Sequence, residues 1–232
     1  MASDQTRTYE RRQSVVFLKT NEAFGGLSNM SGGFPLRVNG IPIRTSEALY
    51  QACRFPHQPK VQRLIIEQAS PMTAKMKSKS HRRDSRPDWD QVRVNVMRWC
   101  LRVKLAQNWG KFCELLLATG DRPIVEESRK DSFWGAKPVD EHTLVGMNVL
   151  GRLLMELRET VKAGEQELLL RVEPLAVPNF MIDGRPIEPV IAHGVERFAP
   201  IAATAKLSEH ADESMRKPLQ TSLFDNTEEE TG

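Results

Sequence analysis

Four short polar clusters interrupt the apolar pattern of the chain, and their side chains could bind or react with a small molecule. They are Gly25–Asn29, Thr45–Ala52, Asp131–Gly135 and Gly146–Gly151. Glycines in the first cluster allow a close backbone approach, and the amide of Asn29 offers both a hydrogen-bond donor and an acceptor. The glycines of the first and fourth clusters could equally serve turns and packing.

The acids in these clusters could carry negative charge or move a proton. Glu47 lies in the first turn of a predicted helix, where the helix dipole favours an ionised carboxylate. Asp131 shares a loop with the indole of Trp134. Structural alternatives remain open, because Glu47 could be a surface acid, Asp131 a loop cap and Asn148 a helix cap.

Short strands and several helices are predicted to position these clusters. Asn39-Gly40, flanked by alternating apolar residues, predicts a two-residue hairpin. Capping residues and apolar periodicity predict helices after Thr45, over 61–69, 70–77, 87–108 and 112–119, and within 145–162. The sequence therefore predicts an α+β fold, predominantly helical: a compact multi-helix domain with small β-hairpins and a C-terminal extension.

Four regions are predicted along the chain. They are a disordered lead-in over 1–13, a domain over 14–163, an extension of unknown role over 164–206, and a disordered acidic tail over 207–232. Low hydrophobicity and clustered acids predict the disorder of the tail.

An ordered series of motifs runs through the domain. It consists of Phe24–Asn29, Thr45–Glu47, Tyr50–Ala52, Arg54–Phe55, Ser70-Pro71, Ala74-Lys75, Arg83, Asp88-Trp89, Val96-Met97, Lys104, Leu116-Leu117, Thr119-Gly120, Val125-Glu126, Asp131, Phe133–Gly135, Asn148, Leu150-Gly151, Leu154-Met155 and Arg158. In its order and spacing the series resembles the YbiA-like NADAR (NAD- and ADP-ribose-associated) domain family of N-glycosidases. The resemblance does not extend beyond Gly164.

The resemblance implies an enzyme, a hydrolase of N-glycosyl bonds. One branch of the family is linked to reactive early intermediates of the riboflavin pathway, and another removes ADP-ribose from guanine bases of nucleic acid. Glu47 and Asp131 are implied as the catalytic acids. The implied substrate-binding residues are Asn29, Gln51, Arg54, Lys75, Trp89, Trp134, Gly135 and Asn148.

Cleavage of a C–N bond at ribose C1 passes through an oxocarbenium-like state, and two carboxyl groups can share this work. The dipole argument assigns the base or cation-stabilising role to Glu47. Asp131 is then expected to supply the proton, since Phe133 and Trp134 could create a dry pocket that favours its protonated form. Lys75 is expected to contact a phosphate or, if buried, to act as an amine nucleophile.

The charge of the chain is unevenly distributed. The formal net charge is +3, yet seven acids and two bases lie after residue 206, so the rest of the chain is strongly basic. A basic body could attract the phosphates of a nucleotide or of nucleic acid, although a solvated mixed-charge surface would look the same. The five histidines show no paired spacing, and neither a metal nor another cofactor is predicted.

The acidic tail contains a short apolar peptide that begins at Gln220 and includes Leu223 and Phe224. It resembles the peptide with which bacterial replication and repair proteins bind the sliding clamp, although Thr221 replaces the usual leucine. Leu223 and Phe224 could fill a hydrophobic pocket of such a partner. An incidental apolar patch is the alternative.

Three functions remain open at this point. The first is removal of ADP-ribose from guanine in nucleic acid, which the basic body and the tail peptide favour. The second is hydrolysis of an early ribosylamine phosphate of the riboflavin pathway. The third is a non-catalytic module that binds ADP-ribose or NAD. A cytoplasmic location is expected for each, because no membrane-length apolar stretch and no secretory signal are visible.

Overall fold

Helices and several small sheets alternate along the part of the chain that the structure, a computed structural model, describes: residues 5–164 and 169–192. The helices are α1 (Ser46–Ala52), α2 (Pro59–Ile66), α3 (Pro71–Ser80), α4 (Trp89–Gln107), α5 (Trp109–Leu117) and α6 (Val149–Lys162). The strands are β1 (Arg7–Glu10), β2 (Val15–Phe17), β3 (Leu36–Val38), β4 (Ile41–Ile43), β5 (Ile124–Glu126), β6 (Lys137–Pro138), β7 (Thr143–Gly146), β8 (Arg171–Val172), β9 (Met181–Ile182), β10 (Arg185–Pro186) and β11 (Val190–Ile191). The prediction of an α+β fold is confirmed.

The strands pair in small groups rather than in one large sheet. β1, β7 and β6 form an antiparallel sheet in that order, and β2 pairs with β5 in parallel. The predicted hairpin is confirmed, because β3 and β4 pair across Asn39 and Gly40, whose φ angles are 49° and 78°. Positive φ at both positions is the condition for a two-residue turn, which Asn and Gly meet at low cost.

The long helix α4 is the centre of the core. It packs against α1, α5, α6, β3, β8 and β11, and its residues Val96, Trp99 and Val103 are almost completely buried. The sequence predicted this helix over 87–108 with the same apolar stripe, and its observed bounds are Trp89–Gln107. Because the neighbouring elements contact one helix, they hold a fixed geometry around it.

The N-terminal segment differs from the prediction of a disordered lead-in over 1–13. Arg7–Glu10 forms the edge strand β1, which pairs antiparallel with β7. Tyr9 is the buried residue of this strand. The prediction was wrong for these residues because the mostly polar segment shows no apolar alternation. Its order comes from the backbone hydrogen bonds that β7 offers at its open edge.

The extension beyond Gly164 contributes to the core as far as it is described. Leu169, Phe180 and Ile182 are buried in it, and the rings of Phe180 and Trp99 meet edge to face with centroids 4.9 Å apart. The indole nitrogen of Trp99 donates a hydrogen bond to the carbonyl oxygen of Glu173 at 3.0 Å. Packing against α4 therefore continues well past the predicted domain end at residue 163.

The predicted clamp-binding peptide, with Gln220, Leu223 and Phe224, lies outside the described residues, as does the acidic tail over 207–232. Among the helices of the described residues, none has the length and apolar character needed to cross a membrane. Within the same ranges, no three His, Cys, Asp or Glu side chains are placed to hold a metal ion.

Candidate active site

A cleft of about 810 Å³ lies between α1, the start of α4 and the loop that follows β5. Its volume is within the usual range for sites that hold small ligands. Both predicted catalytic acids and most predicted binding residues line it: Asn29, Glu47, Gln51, Arg54, Lys75, Trp89, Asp131 and Trp134. Segments far apart in sequence thus bring these side chains to one cavity.

Glu47 lies on the floor of the cleft with only 5% of its surface exposed. Thr45 caps α1 by accepting a hydrogen bond from the backbone N–H of Ala48 at 3.2 Å. Oε2 of Glu47 accepts a hydrogen bond from the amide of Asn29 at 2.7 Å, and Oε1 accepts one from the amide of Gln51 at 2.8 Å. Two donated N–H bonds therefore hold both oxygens of Glu47 in fixed positions.

The amide of Gln51 is itself oriented by α3. The hydroxyl of Ser78, which is also buried, donates a hydrogen bond to Oε1 of Gln51. With its oxygen engaged in this way, the amide directs its nitrogen to Glu47. The spacing of four residues between Glu47 and Gln51 places both on one face of α1.

The loop that carries Asn29 is tied to the centre of the core by Lys104 of α4. The Lys104 ammonium donates hydrogen bonds to the carbonyl oxygens of Gly26 at 2.7 Å and Ser28 at 3.0 Å. The Lys104 side chain is fully buried between the rings of Phe34 and Phe112, and burial lowers its pKa to about 7. No buried contact was predicted for Lys104 from the sequence, since a lysine in a helix usually faces solvent.

The Asn29 loop also contacts α1 through its backbone. The carbonyl oxygen of Asn29 accepts a hydrogen bond from the backbone N–H of Glu47 at 3.1 Å. Gly25 is required nearby, because a Cβ atom at this position would lie 2.4 Å from the carbonyl oxygen of Lys19. Close packing of the loop therefore fixes Asn29 relative to Glu47.

Asp131 lies in the cleft but is held by its own loop. Its Oδ1 accepts hydrogen bonds from the backbone N–H groups of Phe133 at 2.9 Å and Trp134 at 3.0 Å. This is the capping alternative that the sequence left open, with one side-chain oxygen engaged by the backbone of its own loop. Asp131 thereby fixes the backbone that presents the Trp134 indole.

A third acid, Glu126, belongs to the motif series but was not predicted as a site residue. It ends β5 and lines the cleft together with Glu47 and Asp131. Burial raises its pKa to about 7, the charges of Glu47 and Asp131 add to this rise, and Lys75 opposes it. An acid that directly follows the buried pair Ile124-Val125 could have indicated this position, because strand ends often carry functional side chains.

Aromatic rings form one side of the cleft. The ring of Tyr50 lies 5.1 Å from that of Trp89 and 5.7 Å from that of Trp134, and Phe133 meets Trp134 edge to face at 5.0 Å. Burial, followed by the charge of Glu47, raises the pKa of Tyr50 well above its usual value, so its phenol stays protonated. These rings shield the acids from water and offer flat surfaces to a ligand.

Cations line the same cleft. Arg54 lies over the Trp89 ring, with its guanidinium carbon 5.2 Å from the centroid, and donates to the Ser85 hydroxyl at 2.7 Å. Burial and then the charge of Arg82 lower the pKa of Arg54. Arg82 and Arg93 also line the cleft, although neither was predicted as a site residue. Neighbouring guanidinium groups of this kind are typical of phosphate binding.

Two predicted substrate-binding residues, Gly135 and Asn148, do not line the cleft. Oδ1 of Asn148 accepts a bond from the Glu126 N–H at 3.1 Å, and its Nδ2 donates to the Ile124 carbonyl at 2.8 Å. A Cβ atom at Gly135 would lie 2.5 Å from the Glu126 carbonyl oxygen. These residues hold β5 in place, so the structure gives them a supporting role instead of the predicted contact.

Comparison with known proteins defines the class to which this fold and cleft belong. Residues 16–162 match the family described as the NADAR domain. N-glycosidase YbiA of Escherichia coli is 36% identical over 145 residues, which covers 62% of this chain and 86% of the relative. An N-glycosidase of Nostoc punctiforme is 33% identical over 156 residues, 64% of this chain and 93% of the relative.

Two further comparisons bear on fold and activity. A riboflavin biosynthesis protein of Vibrio vulnificus is 36% identical over 152 residues, covering 65% of this chain and 39% of that protein. The NMR structure of E. coli YbiA matches with a TM-score of 0.57 and 33% identity, covering 68% of this chain and 94% of that structure.

The chain therefore belongs to the NADAR domain family. It is an enzyme, a hydrolase that acts on N-glycosyl bonds. The family and the enzyme class predicted from the sequence are both confirmed.

Proposed function

We propose that the enzyme removes ADP-ribose from guanine bases of nucleic acid by hydrolysing the bond between ribose C1 and the base nitrogen. The observation that carries the proposal is the Glu47 carboxylate, held by two amides on the floor of a cleft with aromatic walls and cationic side chains. The proposal assigns the ribose to Glu47, the planar groups to the rings and the phosphates to the cations.

Glu47 suits the stabilisation of an oxocarbenium ion. Positive charge develops at C1 and the ring oxygen as the C–N bond breaks, and a fixed carboxylate stabilises it without having to reorganise. Both Glu47 oxygens are already oriented by Asn29 and Gln51. The same carboxylate could also accept a proton from the attacking water.

The cations support a substrate that contains phosphate. Lys75, Arg54 and Arg82 line the cleft, and no ion pair with an acid is found for them among residues 5–164 and 169–192. Lys75 is exposed, which favours its phosphate-contact role over that of a buried amine nucleophile. A diphosphate would supply the missing negative charge.

An exposed basic strip supports a polymeric substrate. The strip consists of Lys75, Lys79, Arg82 and Arg83 on α3 and the turn after it. It includes cations that line the cleft and others that do not, so a nucleic-acid backbone could lie along it while a modified base enters. Neutralised phosphates contribute strongly to nucleic-acid affinity.

The second candidate function is hydrolysis of a ribosylamine phosphate from the early riboflavin pathway. It is favoured by the similarity to the riboflavin biosynthesis protein of V. vulnificus. A small phosphorylated substrate would need Glu47 and the cleft cations, but it would not need Lys79 of the basic strip. The two candidates therefore predict different consequences of changing this lysine.

The test uses purified full-length protein and three substrates: an oligonucleotide with ADP-ribosylated guanine, the riboflavin-pathway ribosylamine phosphates, and NAD. We expect base release from the oligonucleotide, abolished by Glu47→Gln with substrate binding retained. Lys79→Glu should lower kcat/KM for the oligonucleotide, whereas Arg12→Glu, an exposed cation outside the cleft, should not. Release from the ribosylamine phosphates alone would establish the second candidate instead.

A further inference from the structure

Of the five carboxyl groups that line the cleft, those of Glu47, Glu126 and Asp131 differ in their hydrogen bonds. Glu47 accepts two side-chain amide bonds, and Asp131 accepts two backbone N–H bonds on a single oxygen. In the described residues, no hydrogen bond or ion pair involves the side chain of Glu126, although its backbone is fixed by β2 and by Asn148. Glu126 is thus the one carboxyl group of this trio that is free to hold and release a proton.

The surroundings of Glu126 also favour its neutral form. It is half-buried, faces the charges of Glu47 and Asp131, and has Lys75 as the opposing charge. Its pKa of about 7 leaves a large fraction protonated at neutral pH. A general acid is most effective when its pKa lies near the working pH. By contrast, Oδ1 of Asp131 is already engaged by two backbone N–H groups.

We propose that Glu126, rather than Asp131, donates the proton to the departing base nitrogen. The inference rests on the proposed N-glycosidic hydrolysis. It assigns different work to the three acids: Glu47 stabilises the ribosyl cation, Glu126 protonates the leaving group, and Asp131 holds the Phe133–Trp134 backbone. Asp131 was the predicted donor because the family resemblance implied it as a catalytic acid and because Phe133 and Trp134 could supply a dry pocket.

Water is the only co-reactant of the proposed step. The C1–N bond breaks with its electron pair passing to nitrogen, and that nitrogen takes the proton of Glu126. A water oxygen then bonds to C1 while Glu47 takes the surplus proton of the water. Proton exchange with solvent resets both carboxyl groups, leaving a free base and a ribose with a C1 hydroxyl.

The test compares two matched acid-to-amide variants, Glu126→Gln and Asp131→Asn, on the same ADP-ribosylated oligonucleotide. Wild-type turnover should decline as pH rises above about 7, because deprotonated Glu126 cannot donate. We expect Glu126→Gln to lower kcat by about 100-fold or more and to remove this decline. Asp131→Asn keeps Oδ1 as an acceptor and should retain the decline.

A second variant separates proton donation from a structural effect. Glu126→Ala leaves space for a small acid, so added formate should restore part of its turnover at acidic pH, where formic acid is present to donate the proton. Glu47→Ala should not be rescued by the acid form. Lys104→Met controls for the other group whose pKa is about 7, and it should keep the alkaline decline.

The outcomes distinguish this inference from the proposed function. If the wild-type protein releases no base from the oligonucleotide, the proposed substrate is wrong. If the wild type releases base but Glu126→Gln turns over at the wild-type rate, or if Asp131→Asn alone loses the alkaline decline, then Glu126 is not the donor. Circular dichroism and thermal unfolding would establish that both amide variants are folded.

Discussion

The side-chain amide of Asn29 and the carboxylate of Glu47 meet at 2.7 Å, and the same two residues are joined through their backbones at 3.1 Å. These two hydrogen bonds join the loop that carries Asn29 to the first turn of α1. Because a carboxylate only accepts hydrogen bonds, the Asn29 nitrogen must face Glu47. The carboxylate is therefore oriented before any substrate arrives.

Replacing Asn29 by alanine should lower kcat more than it weakens substrate binding. The Glu47 carboxylate would lose one of its two amide donors and its fixed position, and a misplacement of about 1 Å can cost about 100-fold in rate. Steady-state kinetics on the base-release reaction measures this. A variant with unchanged kcat and a raised KM would show that Asn29 only binds substrate.

Asn29→Asp should be more harmful than Asn29→Ala. Aspartate has nearly the same shape but places a second carboxylate against Oε2 of Glu47 in a buried site, so like charges repel and no donor is left. We expect lower activity together with a pH dependence that differs from the alanine variant. Equal activities of the two variants would contradict the contact between Asn29 and Glu47.

Ser78→Ala tests whether α3 orients the Gln51 amide. Without the Ser78 hydroxyl, the oxygen of Gln51 loses its donor and the amide can turn away from Oε1 of Glu47. One hydrogen bond of this kind predicts a loss of about 2- to 10-fold in kcat. Ser80→Ala is the matched control on the same helix, since the Ser80 hydroxyl bonds only to the Lys77 carbonyl.

Much of the fold and part of the site follow from local sequence patterns. The α4 stripe, the Asn39-Gly40 turn and the Thr45 cap depend on neighbouring residues, and the structure contains each of them. The position of Glu47 in the first turn of a helix was also predictable, because an acid that follows a capping residue is typical of a helix start. Its place in a cleft with Asp131 was implied by the family resemblance alone.

The remaining features depend on contacts between distant segments, which no local pattern encodes. Glu126 gains its surroundings from α1 and from the loop that follows β5. The substrate contact predicted for Asn148 was implied by the family resemblance, whereas its bonds to β5 depend on the fold. β1 is ordered only by pairing with residues more than 130 positions away. The surroundings of these residues therefore depend on packing between segments that are distant in sequence.

Lys104→Met should reduce turnover although Lys104 does not line the cleft. Methionine fills similar space, but the carbonyl oxygens of Gly26 and Ser28 lose their donor, so the loop that presents Asn29 becomes less fixed. We expect kcat to fall with little change in KM. Leu101→Met, another buried position on α4, is the control. In an Asn29→Ala background the Lys104 effect should largely disappear.

The lowered pKa of Lys104 also predicts how the stability of the protein depends on pH. Its pKa is lowered from 10.5 to about 7 in the folded protein, so between these values the unfolded chain binds more protons. The free energy of unfolding should therefore rise with pH from about 7 to 10.5. Chemical denaturation across this range should show a steeper rise for the wild type than for Lys104→Met. Parallel curves would mean that Lys104 titrates normally.

Two substitutions of Asn148 should separate its hydrogen bonds from its backbone conformation. Asn148 has a φ angle of 48° and uses its amide to hold both Ile124 and Glu126 of β5. Asn148→Ala loses these buried bonds and places alanine in a left-handed conformation, so we expect a destabilisation of about 2–4 kcal/mol. Asn148→Gly loses the same bonds but tolerates the positive φ, and it should be more stable than the alanine variant by about 1 kcal/mol. Denaturant unfolding measures both. If the variants unfold like the wild type while substrate affinity falls, Asn148 contacts the ligand as the sequence suggested.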